Sequence, residues 1–155
     1  MKLSNFLCTV NYIIEKSSKL KNKYTTEALA PVEFVRIFCQ NEKEYEELST
    51  EVQQLGTVVE RTQSGYTYLL DKPLSTSASS LRVVKVRKPD SQRLERGDAD
   101  YNTDYRIFKE KYLNKPGFEQ VKRYTFEMLR LSDRDIDVLA SFSDIPKSKV
   151  LGIKQ

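Results

Sequence analysis

Arg36 stands two positions from Phe34 on one side and Phe38 on the other, Tyr66 and Tyr68 are two apart, and so are Lys85 and Arg87. Residues two apart in an extended chain share a face, so strands carrying these sets would present rings or fixed cations side by side. Aromatic walls with two or three cations suit a planar or anionic small ligand. Ring faces attract cations, and a guanidinium offers parallel hydrogen bonds to a carboxylate or phosphate. The competing reading makes Arg36, Lys85 and Arg87 ordinary solvated positions with buried stems and hydrated heads. Alternation groups the residues without saying which face points inward.

Covalent chemistry has less support. The sequence contains no histidine, so its Ser and Cys residues lack their usual base and a metal lacks its commonest protein ligand. Cys8 and Cys39 do not have the spacing of a zinc knuckle or redox motif; they read as small buried hydrophobes in a reducing compartment rather than a disulfide. Nucleic-acid binding is a reading from a different class. It would use the basic stretch Arg82 to Arg96, where Arg82, Lys85, Arg87, Lys88, Arg93 and Arg96 could contact phosphates. Against it, Asp90, Glu95, Asp98 and Asp100 interleave with those cations, and no recognised DNA or RNA motif is present. Arg96-Gly97-Asp98 spells an adhesion tripeptide, read here as coincidence with Gly97 providing a turn.

The elements that must position these residues follow from a chain of 155 residues with 39% hydrophobic and 31% charged content, nine Tyr, seven Phe and a formal charge of +4. That is enough apolar material for one sizeable core, and too little net charge to specify a polyanionic partner. The apolar residues after Met1 are interrupted by Ser4, Asn5, Thr9 and Asn11, and no window approaches the roughly 20 apolar residues of a membrane span. A soluble, cytoplasmic protein is the default expectation.

Leu3, Phe6, Leu7, Val10, Ile13, Ile14 and Leu20 recur at intervals of three and four, which is helical periodicity. Such an amphipathic helix can dock on its own domain, form a homodimer, or lie on a membrane surface. Buried stripes are far commoner, which favours the first two. Residues 1–30 therefore read as helix and linker, and 31–155 as the main domain with a short irregular tail from Ser143. Within it, Val32–Cys39 has strand composition, and Asn41 can cap a helix buried through Tyr45, Leu48, Val52 and Leu55. Strands at 57–62, 66–70 and 81–88 follow, with a polar loop through Ser75 and Ser80. A second pass begins with a short strand at 99–101 and continues with a helix capped by Asp104. Strands at 118–124, 126–131 and 136–142 complete it, so strand, helix, three strands runs twice.

That doubled order resembles the vicinal oxygen chelate superfamily, which includes glyoxalases, extradiol dioxygenases and antibiotic-resistance proteins. The resemblance covers Val32 to Phe142. Its most specific local point is Leu131-Ser132-Asp133-Arg134-Asp135-Ile136-Asp137-Val138, similar to a shortened form of the family's final hairpin. The resemblance implies two βαβββ modules closing a cleft, and places Glu33, Asp100 and Asp137 at positions where the family commonly has metal ligands. The fourth position falls within Leu81 to Lys88, which offers no ligand. Three carboxylates without imidazole would suit Mg²⁺, Mn²⁺ or Ca²⁺ rather than Zn²⁺ or Fe²⁺. The segments 81–90 and 126–131 are also similar to those of a microbial family to which no activity attaches.

The expected fold class is thus α+β: two βαβββ modules forming a glyoxalase-like cleft, preceded by an N-terminal amphipathic helix. The expected function is non-catalytic binding of a small anionic or aromatic ligand, or of a partner, through Arg36, Tyr66, Tyr68, Lys85 and Arg87, with no cofactor required. Two alternatives stand beside it: nucleic-acid binding through Arg82–Arg96, and a metal-dependent lyase or isomerase with the carboxylate-only site Glu33, Asp100 and Asp137.

Overall fold

The computed structural model describes residues 4–154. Ser4 accepts a hydrogen bond from the Leu7 amide, and the chain enters α1, Asn5–Tyr24. Phe6, Val10, Ile13, Ile14 and Leu20 of the expected stripe are buried, while Leu3 lies outside the described residues. The order then runs β1 (Val32–Phe38), α2 (Glu42–Gln53), β2 (Gly56–Thr62), β3 (Gly65–Thr76), β4 (Ser79–Arg87), β5 (Gly97–Tyr101), α3 (Tyr105–Tyr112), β6 (Phe118–Lys122), β7 (Glu127–Asp133), β8 (Ile136–Ser143) and α4 (Lys147–Val150). Asn41 caps α2 by accepting from the Glu44 amide at 2.8 Å.

The eight strands form one sheet in the order β2-β3-β4-β1-β5-β8-β7-β6. Within each half the first strand lies parallel to the last, β1 beside β4 and β5 beside β8, because a helix and a hairpin separate them in sequence. The halves meet where β1 and β5 run antiparallel, with Val35 opposite Ala99 and Arg36 opposite Asp98. The doubled βαβββ order expected from the sequence is present.

One face of the sheet carries the helices. Val35, Ile37, Val84, Val86, Ala99, Val138, Ala140 and Phe142 join the buried side chains of α1, α2 and α3 in a single cluster. The first helix is therefore part of the main core, not an appendage of residues 1–30. Burying a stripe of this kind removes several large side chains from water, each contributing about 1.5–3 kcal/mol. The stripe expected as a homodimer surface is covered by the chain's own sheet. Among the described residues no helix is long and apolar enough to cross a membrane.

Several local expectations need correction. Gly97 is no turn between modules but the first residue of β5. A Cβ there would lie 2.5 Å from the Arg36 carbonyl oxygen and 2.5 Å from Cδ1 of Ile13, so glycine lets α1 settle against the seam. The polar loop expected through Ser75 and Ser80 is the tip of a long hairpin, with Leu74 opposite Leu81 and Thr76 opposite Ser79. Ladder bonds are made by the backbone, which lets a run of Ser and Thr continue a strand. Cys8 is exposed; Cys39 alone is buried, and its thiol is pushed up to about 12, chiefly by burial. The tail contains α4, which folds back onto β1.

Candidate functional site

The open face of the sheet is the one turned away from the helices, although Phe34, Phe38, Asp98, Asp100 and Ser141 on it are buried. Alternation brings Phe34, Arg36 and Phe38 of β1 to it, with Lys85 and Arg87 of β4, Asp98 and Asp100 of β5, Ser141 and Ser143 of β8, and Arg130 of β7. Register places Lys85 beside Arg36, Arg36 beside Asp98, and Ser141 between Asp100 and Arg130. A band of charged and hydroxyl groups thus crosses the join between modules.

Arg36 is the hub. Its Nη1 donates to Asp98 Oδ2 at 2.7 Å and its Nη2 to Asp100 Oδ2 at 3.3 Å. Ser141 donates to both Asp98 oxygens at 2.8 Å, and Ser143 to Asp100 Oδ1 at 3.2 Å. Asp98 is 1% exposed. Burial pushes the Asp100 carboxyl well above the ordinary carboxylate range, opposed by Arg36 and helped by Asp98. Burial also works against the charge of Arg36, but the two carboxylates outweigh it and hold that guanidinium firmly protonated. On the near side, Lys85 donates to Thr62 Oγ1 at 3.1 Å and Ser64 Oγ at 2.8 Å. Burial, with Arg87 close by, pulls its ammonium down to about 8.

Around this hub the cations outrun their partners. Arg87 has Asp90 at 3.9 Å, and Arg130 has Glu119 at 3.7 Å. Burial lowers both guanidinium pKa values, and Arg93 and Arg36 lower them further. The Nε–H groups of Arg87 and Arg130 are buried without an acceptor.

The tail covers the other end of the face. Lys147 donates to Glu60 Oε1 at 3.0 Å and lies 5.4 Å from the centroid of Phe34. The Ser148 amide donates to Glu33 Oε1 at 2.9 Å, and its hydroxyl bonds the same oxygen. Between the tail and Arg36, Asp100 and Ser143 remains a gap of about 10 Å³, room for about one water.

Arg36, Lys85 and Arg87 therefore share the open face, whereas Tyr66 and Tyr68 do not. Tyr68 pairs with Val84 and Tyr66 with Val86, which puts both rings on the helix side. Tyr68 is buried in the core and Tyr66 lies under Arg61. The three carboxylates placed by family resemblance are not brought together either. Glu33 serves Ser148 and Asn102, Asp100 serves Arg36 and Ser143, and Asp137 accepts from the Tyr12 hydroxyl at 2.7 and 2.8 Å. Among the described residues no three His, Cys, Asp or Glu side chains form a metal-sized cluster. The basic stretch is likewise dispersed: Arg82 donates to the Lys154 carbonyl, Lys85 and Arg87 turn to the open face, and Arg96 pairs with Glu44 at 3.6 Å. It makes no continuous stripe.

Asp98, Arg130, Ser141, Ser143, Glu60 and Lys147 escaped the sequence reading. Asp98 and Arg130 did carry a signal. Asp98 alternates with Asp100 about Ala99, and Arg130 interrupts Leu129 and Leu131, the pattern of a polar residue opposed to a buried face.

No protein-family model matches the chain, and no curated protein matches it. Over its full length it is similar to a solved structure described as Structural Genomics, Protein EC4020, with a TM-score of 0.69, 12% identity, and coverage of 100% of this chain and 99% of that one. At that identity the likeness is one of fold, and it includes the N-terminal helix. A glyoxalase/bleomycin resistance protein/dioxygenase superfamily member from Vibrio splendidus 12B01 is similar with a TM-score of 0.47 and 12% identity, over 74% of this chain and 97% of that one.

Proposed function

We propose that the protein binds a small anionic molecule on the open face of the sheet and performs no covalent chemistry on it. The observation that carries this reading is the gathering of Arg36, Lys85, Arg87 and Arg130 on one face, with Asp98 and Asp100 spent on Arg36. Fixed cations in a partly desolvated setting attract an anion far more strongly than cations on a water-washed surface. The chain offers no imidazole base, and Cys39 sits buried with its thiol held protonated, which speaks against a nucleophilic mechanism.

The experiment is calorimetric titration of the purified protein against a panel of nucleotides, phosphorylated metabolites and aromatic acids, with neutral and cationic analogues alongside. Saturable binding of an anionic compound, weakened in Lys85→Ala, supports the reading. A panel without a single saturable binder overturns it, and so does turnover of a bound compound.

A further inference from the structure

The two halves of the open face are built differently. In one, Arg36 is matched by Asp98 and Asp100, and Lys147 is matched by Glu60. In the other, Arg87, Arg93 and Arg130 are close enough to repel one another, and the partners of Arg87 and Arg130 are held at longer range. Arg87 and Arg93 both lie over the ring of Phe38, 5.2 and 6.0 Å from its centroid, and are close enough to depress one guanidinium by the other's charge. Burial lowers the Arg130 guanidinium most; Asp98 attracts it, while Arg93 and Arg36 repel it. The acidic side chains nearest to Arg87 and Arg130 stand off at 3.9 and 3.7 Å, and Glu119 is largely in solvent.

Such an arrangement is unfavourable by itself. Like charges a few ångströms apart repel, and a buried donor lacking an acceptor costs about 1–3 kcal/mol. The Nε–H groups of Arg87 and Arg130 are two such donors. Arg87 and Arg130 project from β4 and β7, and Arg87 and Arg93 share the ring of Phe38. A bound oxyanion relieves the repulsion by supplying negative charge, with acceptor oxygens for the terminal N–H groups of the guanidiniums.

We propose that Arg87, Arg93 and Arg130 form an oxyanion subsite that receives a small, multiply charged group of the phosphate or diphosphate class. The inference rests on the ligand-binding reading above and names the chemical class that the face accepts. Three guanidiniums exceed what one carboxylate can satisfy, whereas the tetrahedral oxygens of a phosphate present several acceptors in different directions. The site is recessed: the side chains of Arg87 and Arg130 are 19% and 16% exposed. Guanidiniums so little exposed are poorly placed to follow a polymer backbone.

The test uses the full chain and sodium pyrophosphate as probe, titrated by calorimetry at low salt. Saturable one-to-one binding, displaced by inorganic phosphate, is the expected result. Arg87→Ala and Arg130→Ala should each weaken it about tenfold or more, the scale of a charged hydrogen bond. Arg93→Ala changes a partly exposed residue and should weaken it less, while leaving the melting temperature in place. If the two buried variants fail to fold, the Arg93→Ala and Arg130→Lys proteins decide the matter, since both should bind more weakly than wild type. Wild-type affinity in Arg93→Ala and Arg130→Lys overturns the subsite. The absence of saturable binding of pyrophosphate and phosphate overturns it as well. If an aromatic carboxylate binds instead, the anion-binding reading stands and only the phosphate-class subsite falls; if only a neutral or cationic compound binds, or nothing does, both fall. Tighter binding of a single-stranded oligonucleotide, steeply weakened by salt and lost in the same variants, overturns the small-ligand form.

Discussion

Arg36 of the first module and Asp98 of the second face each other in register across the β1–β5 join, their nearest charged atoms 2.7 Å apart. This ion pair, extended to Asp100, is a polar bolt through the join between modules. The two modules thus present opposite charges to each other where they touch.

Removing one member of that pair should be costly, because the survivor remains buried and uncompensated. Asp98→Ala is expected to lower unfolding free energy by about 3–5 kcal/mol, read from urea denaturation. Because Arg36 also holds Asp100, the triple variant Arg36→Met, Asp98→Leu, Asp100→Leu should recover much of the loss. A single variant as stable as wild type would show that the pair contributes nothing at the join.

Gly97→Ala tests how closely the first helix sits on the seam. The added methyl must push away Ile13 or the Arg36 carbonyl, an overpacking cost of about 1–3 kcal/mol. Trypsin should cut at the lysines of α1 sooner than in wild type. Unchanged stability and unchanged cleavage would mean that the contact between helix and β5 is looser than the structure has it.

Asp100 makes stability depend on acidity in an unusual sense. Its carboxyl is pushed up to about 6, by burial first, against Arg36 and with Asp98 and the Ser143 and Lys147 contacts nearby. The folded chain therefore holds this proton more firmly than the unfolded chain. The contribution is full below the unfolded value near 4 and is lost as pH rises through 6. Wild type should lose stability relative to Asp100→Asn between about pH 4 and 7. A difference that stays flat across that window would contradict the shift.

Lys85 gives ligand binding its own dependence on pH. Burial and Arg87 lower its pKa to about 8, with Arg36 and Lys147 adding to the effect and Glu60 opposing it. Above that pH the ammonium loses its charge, so affinity for an anion should fall as pH rises through about 8. In Lys85→Met the fall should vanish while weaker binding persists. An affinity that is level from pH 7 to 9 in wild type would remove Lys85 from the site.

Much of the architecture was legible in sequence because apolar spacing and caps report directly on local structure. The stripe from Phe6 to Leu20 and the Asn41 cap sit as expected. Which face a residue takes was not legible. Alternation correctly keeps Tyr66 with Tyr68 and Lys85 with Arg87, but the β3–β4 register sets the tyrosines opposite Val84 and Val86, away from the cations. That register is a property of two strands together, so neither strand alone contains it. The tail was hidden for a related reason: Lys147 and Ser148 acquire their roles from Glu60 and Glu33, more than 80 residues earlier. The metal-ligand positions inferred from family resemblance are not brought together, because side chains at matching sequence positions answer to their own neighbours, and Ser148, Arg36 and Tyr12 each claim one carboxylate.

The return of the tail to β1 also governs how the protein can be handled. Lys154 is tethered by Arg82, toward the end of β4 away from Arg87, so an affinity handle or fluorescent fusion joined after it would pull on the seat of the tail against β1. Attachment sites are better sought among exposed side chains of α2 and α3, on the far side of the sheet, where a label would leave the cationic floor unobstructed.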